Sequence, residues 1–187
     1  MKHIAIFASG KGTNAKAIIE HFENHPTIKV VLVVTNNPSA GVLKIAHEHK
    51  IISAIINKDS LQKEEIMMKL LNAQKIDLIV LAGFLQLIPA FLLQNFPKKI
   101  INIHPALLPK HGGKGMYGIK VHETVLANKE PETGITIHYV NEVYDDGEIL
   151  LQKKVTVTSD DTTETLSTKV QQLEHEWYVK AIEEILH

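Results

Sequence analysis

The sequence contains no cysteine, no long hydrophobic run and no large excess of charge of either sign. Without cysteine, a disulfide framework, a thiolate metal site and a cysteine nucleophile are all excluded. The most apolar stretches, such as Ile76 to Leu81, are interrupted by Asp77 and fall short of the roughly 18 residues of a membrane-spanning helix. The formal net charge of −1 comes with no basic stripe, so we expect no nucleic-acid partner.

The N-terminus also lacks the features of a signal peptide, because Met1-Lys2-His3 is followed at once by a strand-like apolar run. We therefore expect a cytoplasmic protein with no membrane partner. A length of 187 residues, with 44% hydrophobic and 22% charged residues, is usual for a globular protein and predicts one domain over residues 1–187.

In the first hundred residues, short continuous apolar runs alternate with stretches of helical periodicity. This alternation predicts βαβ units, a parallel sheet and right-handed crossovers. The expected strands are Ile4–Ala8, Val30–Val34, Ser53–Ile56, Asp77–Ala82 and Ile100–Ile103, and the expected helices are Thr13–Glu23, Ala40–His49, Leu61–Ala73 and Pro89–Asn95.

The pattern changes in the last third of the chain. Gly134–Asn141 and Glu148–Thr158 alternate like strands and are joined through the turn signal Asp145-Asp146-Gly147, which predicts an antiparallel hairpin. Asp161 or a neighbouring threonine is expected to cap a final helix from Thr162 to Leu186. The chain is thus predicted to form an α/β fold with a mostly parallel, Rossmann-like sheet of about seven strands. Helices would flank both faces, with a late hairpin and a long C-terminal helix.

A glycine-containing loop, Ser9-Gly10-Lys11-Gly12-Thr13-Asn14, follows the first strand and opens a helix. Such a loop binds anions through free N–H groups and the helix dipole, which favours a phosphate held by Gly12, Thr13 and Asn14. A dinucleotide site would need an acidic residue about 20 positions on, where the chain has Thr35-Asn36-Asn37. The other alternative is a tight turn with Thr13 or Asn14 as a helix cap.

The run Asn102-Ile103-His104-Pro105 ends a buried strand, so the amide and the imidazole lie on one face at the sheet edge where open α/β folds bind ligands. Together they suit a developing oxyanion. Pro105 to Gly118 predicts an irregular loop over this site. Asp145 could raise the pKa of His104 and favour its protonated form, although its turn alone is also typical of an ordinary surface turn.

The chain contains 11 histidines, and histidine is the commonest metal ligand among side chains. His47 and His49 diverge on their helix, and the remaining histidines have no recognisable ligand spacing. We expect no metal. His104 is the one histidine with a predicted chemical role, and His138 is expected to lie near the site.

The combined motifs resemble those of the phosphoribosylglycinamide formyltransferase family, folate-dependent enzymes of purine biosynthesis, over the whole chain. The Asn-Ile-His-Pro-x-Leu-Leu-Pro run is the most specific of them. The motifs are Ser9–Asn14, Leu81-Ala82-Gly83-Phe84, Asn102–Pro109, Gly112-Gly113-Lys114-Gly115-Met116-Tyr117-Gly118 and Asp145-Asp146-Gly147.

The resemblance implies formyl transfer from 10-formyltetrahydrofolate to glycinamide ribonucleotide, with no metal. It divides the domain into a phosphate-binding half, residues 1–100, and a catalytic and folate-side half, residues 101–187. The implied roles are catalysis by Asn102, His104 and Asp145, phosphate binding by Gly12, Thr13 and Asn14, contact of Glu174 with the glycinamide end, and folate binding by Leu85, Gln86, Leu87, Ile88 and Asn102.

Two residues depart from the family pattern: Gln86 stands where bacterial relatives often carry arginine, and Ala106 replaces a common serine. Lys58 and Lys63 match no family position clearly and have no assigned role. The alternatives are a sibling formyltransferase or hydrolase, or a phosphometabolite-binding protein without activity. A homodimer is left open.

Overall fold

The computed structural model describes all 187 residues, and its centre is one seven-stranded sheet in the order β3-β2-β1-β4-β5-β6-β7. Strands β1 to β5 are parallel, whereas β6 runs antiparallel to both β5 and β7. The elements are β1 (Lys2–Phe7), α1 (Thr13–Phe22), β2 (Ile28–Thr35), α2 (Val42–Glu48), β3 (Ile52–Ile55), α3 (Lys58–Leu61), α4 (Glu64–Ala73), β4 (Leu78–Leu81), α5 (Ala90–Asn95), β5 (Ile100–His104), α6 (Ile119–Ala127), β6 (Glu132–Tyr139), β7 (Ile149–Thr156) and α7 (Thr163–Leu186).

Two apolar cores lie on opposite faces of this sheet. Alternate residues of β1 contribute to each, because successive side chains of a strand point to opposite faces. Ile4 and Ile6 pack in the core that contains buried residues of α1, α2 and α7, and Ala5 and Phe7 pack in the core of α4 and α5. This arrangement confirms the α/β fold with helices on both faces.

The five early strands and the antiparallel order of the last two are confirmed. The connection between β6 and β7 is longer than a tight hairpin turn and spans residues 140–148, which we call the β6–β7 loop. Residues 105–118, which we call the active-site loop, form no helix or strand, as predicted. The sequence interpretation missed α6, whose apolar positions directly follow the glycine-rich run that suggested a loop.

The long helix α7 begins with Thr162 as its cap and ends at Leu186. Thr162 and Thr165 form a reciprocal capping box, which satisfies backbone N–H groups that the first turn leaves free. Farther along, the hydroxyl of buried Tyr178 donates to the carbonyls of Leu81 and Ile101 at 2.9 and 3.2 Å, which fixes α7 to β4 and β5. No helix has both the length and the apolar character needed to cross a bilayer.

Candidate active site

A cavity of about 770 Å³ lies at the carboxyl edge of the parallel strands. The glycine loop after β1, the segment after β4, the end of β5, the active-site loop, the β6–β7 loop and α7 all contribute to its wall. It brings together every residue that the sequence predicts for the site: Gly12, Thr13, Asn14, Leu85, Gln86, Leu87, Ile88, Asn102, His104, Asp145 and Glu174. Lys58 and Lys63 lie outside it, in the α3–α4 region.

The glycine loop leaves the first turn of α1 open to the cavity. Gly12 precedes the helix with φ 82°, in the left-handed region, and no side chain caps the helix. The alternative in which Thr13 or Asn14 caps α1 is therefore wrong. Gln171 of α7 donates to the Thr13 hydroxyl at 3.1 Å, so α7 lies against this loop. Free N–H groups at the start of a helix form an anion site.

The segment after β4 is connected to the glycine loop by Ser9. The backbone N–H of Leu85 donates to the Ser9 hydroxyl at 3.0 Å, and that hydroxyl donates in turn to Asn36. Leu85 and Leu87 remain about 40% exposed at the cavity, whereas Ile88 is buried in the core. The segment thus presents two apolar side chains to the cavity on a backbone that is held in place.

Asn102, His104 and Asp145 form the centre of the cavity. The Asn102 amide nitrogen lies 3.3 Å from Asp145 Oδ1, and His104 Nδ1 lies 3.4 Å from Asp145 Oδ2. Asp145 adopts φ 55°, and its Oδ2 also accepts the Gly113 N–H at 3.0 Å. The β6–β7 loop therefore folds back over the end of β5 and places one carboxylate beside both predicted oxyanion donors.

The other ring nitrogen of His104 has a partner that the sequence did not indicate. His104 Nε2 lies 2.8 Å from the backbone carbonyl oxygen of His111. A carbonyl only accepts, so Nε2 carries a proton. The ring thus has an acceptor at each nitrogen, Asp145 Oδ2 and His111 O, which suits a doubly protonated imidazolium.

The net effect on the pKa of His104 differs from the prediction. Burial is the largest influence and lowers the pKa. The Asp145 charge and the hydrogen bond to the His111 carbonyl act to raise it, whereas the His138 and His111 side chains act to lower it. The resulting pKa of His104 is below the usual value. Asp145 does favour the protonated form of His104, as the sequence suggested. His104 is only 3% exposed, however, and the loss of solvent around its ring outweighs the effect of Asp145.

Asp145 itself is ionised. Burial acts to raise its pKa, but the neighbouring His138 side chain, the charge of His104 and the Gly113 N–H together hold it below its ordinary value. His138 lines the cavity as expected, with Nδ1 2.8 Å from the Tyr139 carbonyl oxygen and Nε2 3.1 Å from the Asn102 amide nitrogen.

Two further polar groups of the cavity have no partner within the protein. Asn14 Oδ1 and His122 Nδ1 are both buried without a hydrogen bond. The sequence gave His122 no role, because α6 was not predicted. Burial lowers the pKa of His122, and the nearby His104 lowers it further, so His122 is a neutral imidazole at neutral pH.

The carboxyl group of Glu174 lies on the α7 side of the cavity beside Asn14. Burial of this group raises its pKa to about 7, against the opposing effect of the Asn14 amide. Near neutral pH it therefore exists in both protonation states. No group of three or more histidine or acidic residues is arranged to hold a metal ion.

Comparisons with known proteins agree with this geometry. The sequence profile of the family described as "Formyl transferase" matches residues 2–182. The phosphoribosylglycinamide formyltransferase of Bacillus subtilis (strain 168) is 36% identical over 100% of this chain and 95% of its own length. The crystal structure of the phosphoribosylglycinamide formyltransferase from Bacillus halodurans is 36% identical, with a TM-score of 0.87 over 99% of this chain and 95% of that one.

A plant relative is more similar in sequence but longer. The chloroplastic phosphoribosylglycinamide formyltransferase of Arabidopsis thaliana is 43% identical over 97% of this chain, and the chain spans 64% of that relative's length. Because this relative is named as chloroplastic, the cytoplasmic location stays a prediction. The resemblance of the motifs is confirmed, and the chain belongs to the formyl transferase family.

Proposed function

We propose that the chain transfers the formyl group of 10-formyltetrahydrofolate to the amine of N1-(5-phospho-D-ribosyl)glycinamide, a step of purine biosynthesis. The observation that supports this most directly is the convergence of Asn102, His104 and Asp145 in the cavity that also contains the open start of α1. One cavity thus combines a phosphate site with a set of groups suited to acyl transfer.

The phosphate of the ribonucleotide would lie at the start of α1. There it would accept hydrogen bonds from the N–H groups of Thr13 and Asn14 and from the Thr13 hydroxyl, with the loop shaped by Gly12. The glycinamide end would extend toward Glu174, whose carboxylate accepts a hydrogen bond from the substrate nitrogen. Asn14, which lines the same cavity, leaves its Oδ1 without a partner in the protein.

The folate would lie along Leu85 to Ile88, in the segment of the cavity wall that follows β4. Leu85 and Leu87 offer partly exposed apolar surface for a flat ring, and Gln86 supplies an amide at the cavity wall. The N–H of Leu85 is already bonded to Ser9, so the neighbouring backbone groups would bind the pteridine. The two substrates would then meet at Asn102 and His104.

In the reaction, the substrate amine attacks the formyl carbon directly, and its nitrogen forms a new C–N bond. The negative charge passes to the formyl oxygen, which accepts hydrogen bonds from the Asn102 amide and, when His104 is doubly protonated, from its Nδ1–H. The distances of 3.3 and 3.4 Å from these donors to Asp145 exceed those of short hydrogen bonds, and the Asn102 amide nitrogen also lies 3.1 Å from His138 Nε2. Both donors would turn from these partners toward the oxyanion as its charge develops.

Collapse of the tetrahedral intermediate breaks the bond from the formyl carbon to N10 of the folate. The attacking nitrogen loses one proton and N10 gains one, so the reaction is neutral overall. Ionised Asp145 is suited to carry this proton, directly or through one water. No covalent intermediate with the enzyme is required, in agreement with the absence of cysteine from the chain.

A spectrophotometric assay with both substrates tests the proposal. We expect release of the deformylated folate that depends on the ribonucleotide. Release of formate without the ribonucleotide would instead indicate a hydrolase. Calorimetric binding of the ribonucleotide without any formyl transfer would indicate the binding-protein alternative.

A further inference from the structure

The backbone of the active-site loop contacts both members of the His104–Asp145 pair. The His111 carbonyl accepts from His104 Nε2 at 2.8 Å, and the Gly113 N–H donates to Asp145 Oδ2 at 3.0 Å. The position of this loop therefore fixes the plane of the imidazole and the direction of the carboxylate. Whatever holds the loop in place also determines the orientation of these two groups.

The active-site loop contains a strained backbone conformation at His111. His111 has φ 55°, in the left-handed region that non-glycine residues rarely adopt, and a cost of about 1–2 kcal/mol is typical there. Such a conformation persists when the surroundings hold it. The side chain of His111 is only 8% exposed, and its Nε2 lies 3.2 Å from Glu130 Oε1.

Glu130 is well placed to hold this side chain. It lies between α6 and β6, and its own N–H donates to the Val125 carbonyl at the end of α6. Its second carboxylate oxygen lies 3.0 Å from Lys110 Nζ, so one carboxylate contacts two consecutive residues of the loop. The hydrogen bond from Lys110 is the largest influence on the pKa of Glu130. Together with His111 it holds this pKa below the ordinary value, against the opposing effect of burial, so Glu130 is ionised.

We propose that Glu130 is a positioning residue for the reaction. Through the His111 side chain it holds the His111 carbonyl against Nε2 of His104, so that the ring, in its doubly protonated form, presents Nδ1–H to the formyl oxygen. This inference rests on the proposed function, and it assigns a role to two residues that lie outside the cavity wall.

The charged and titratable groups around the pair support this arrangement. Asp145, His138 and His111 are the groups that influence His104, and Asp145 is the one anion among them; His104 in turn influences His122. Lys110 and His111 are the groups that influence Glu130. Because burial already disfavours the imidazolium, loss of the His111 carbonyl as an acceptor removes one of only two favourable contributions.

The first test is Glu130→Ala. We expect kcat to fall about 10-fold while KM for either substrate changes less than about 2-fold, because the change affects the transition state and no substrate contact. The alkaline limb of the kcat profile should move to lower pH, since the protonated form of His104 is lost sooner. An unchanged kcat in the folded variant would overturn the proposal.

Three further variants separate positioning from charge and from folding. Glu130→Gln keeps an acceptor for His111 without the charge and should retain most of kcat, whereas equal losses in Gln and Ala would show a charge effect only. His111→Phe removes the contact from the other side and should match Glu130→Ala, with no further loss in the double variant. Glu132→Ala, two residues farther along at the start of β6, removes the exposed pair with Lys154 and should leave kcat unchanged.

An NMR titration of the His104 imidazole, assigned with His104→Asn, supplies a readout independent of activity. The Glu130→Ala and His111→Phe variants should titrate at lower pH than the wild type, and identical titrations would overturn the proposal even if kcat falls. If the wild type shows no formyl transfer, the proposed function fails, while the NMR comparison still decides whether Glu130 positions His104.

Discussion

Asn102 and His104 both line the cavity because side chains two positions apart on a strand share one face. If their N–H groups receive the charge of the formyl oxygen, each replacement removes an interaction that exists mainly in the transition state. We expect His104→Ala or Asp145→Ala to lower kcat by about 10²-fold or more, with small changes in KM. Steady-state assays over both substrates would measure this.

A control for that prediction is His47→Ala, which removes an exposed histidine of α2 outside the cavity. Its kcat should equal that of the wild type. Near-normal turnover in both the His104 and the Asp145 variant would contradict the proposed chemistry.

The backbone of Gly12 lies too close to Val42 to leave room for a Cβ atom. A Cβ at this position would lie 2.9 Å from Val42 Cβ and 3.0 Å from Val42 Cα, and φ 82° strains any other residue. Gly12→Ala should therefore displace the loop, raise KM for the ribonucleotide about 10-fold or more and leave KM for the folate within about 2-fold. Initial-rate kinetics with each substrate varied would test this.

Gly10→Ala, in the same loop, is the control for Gly12→Ala in a measurement of thermal stability. A Cβ there meets no atom within 4 Å, so the thermal midpoint should not change. A thermal midpoint that falls equally in both variants would show that crowding at Val42 is not the cause.

At the scale of the element, α7 depends on the residues that precede it. Asp161 accepts from the Thr158 N–H at 2.8 Å and pairs with Lys169 at 2.7 Å, and the Lys169 hydrogen bond is the largest cause of a pKa far below the ordinary value. Because the folded-state pKa is depressed, the stabilisation is present above the unfolded pKa of about 4 and is lost as pH falls below it.

We expect Asp161→Asn to lower Tm by a few degrees at pH 7, with the difference from the wild type shrinking as pH falls from about 4. Thermal unfolding followed by circular dichroism at several pH values would measure it. Asp160→Asn, a change at an exposed neighbour without these contacts, is the control. A difference that is constant from pH 7 to pH 2 would contradict the linkage.

At the scale of the whole molecule, Tyr178 joins the last helix to the middle of the sheet, and its partner Leu81 lies 97 residues earlier in the chain. Its hydroxyl is buried and donates to two carbonyls, one at the end of β4 and one in β5. Tyr178→Phe leaves both buried carbonyls without this partner, which should lower the free energy of unfolding by about 1–3 kcal/mol.

Urea unfolding would measure this loss, and kcat at low temperature should remain close to that of the wild type. The matched control is Tyr117→Phe, a change at an exposed tyrosine, which should leave the unfolding free energy unchanged. A stability loss below about 0.5 kcal/mol for Tyr178→Phe would show that the two hydrogen bonds contribute little.

The sequence by itself determined the strands, the main helices, the sheet class and part of the cavity lining, including Asn102, His104 and Asp145. It could do so because apolar periodicity and the motifs at strand ends are local, and the carboxyl ends of parallel strands meet at one edge. Helix α6 was missed because the glycine-rich run before it, Gly112 to Gly118, suggested that the irregular segment continued.

The tertiary structure decided what surrounds His104. The His111 carbonyl is a backbone group, and every residue has one, so no residue type could indicate that it binds Nε2. Likewise, Asp145 has the predicted effect on the pKa of His104, yet the depth of burial, which only the folded packing sets, reverses the net direction. The sequence thus predicted which side chains meet at the end of β5, whereas long-range packing determined their orientation and proton affinity.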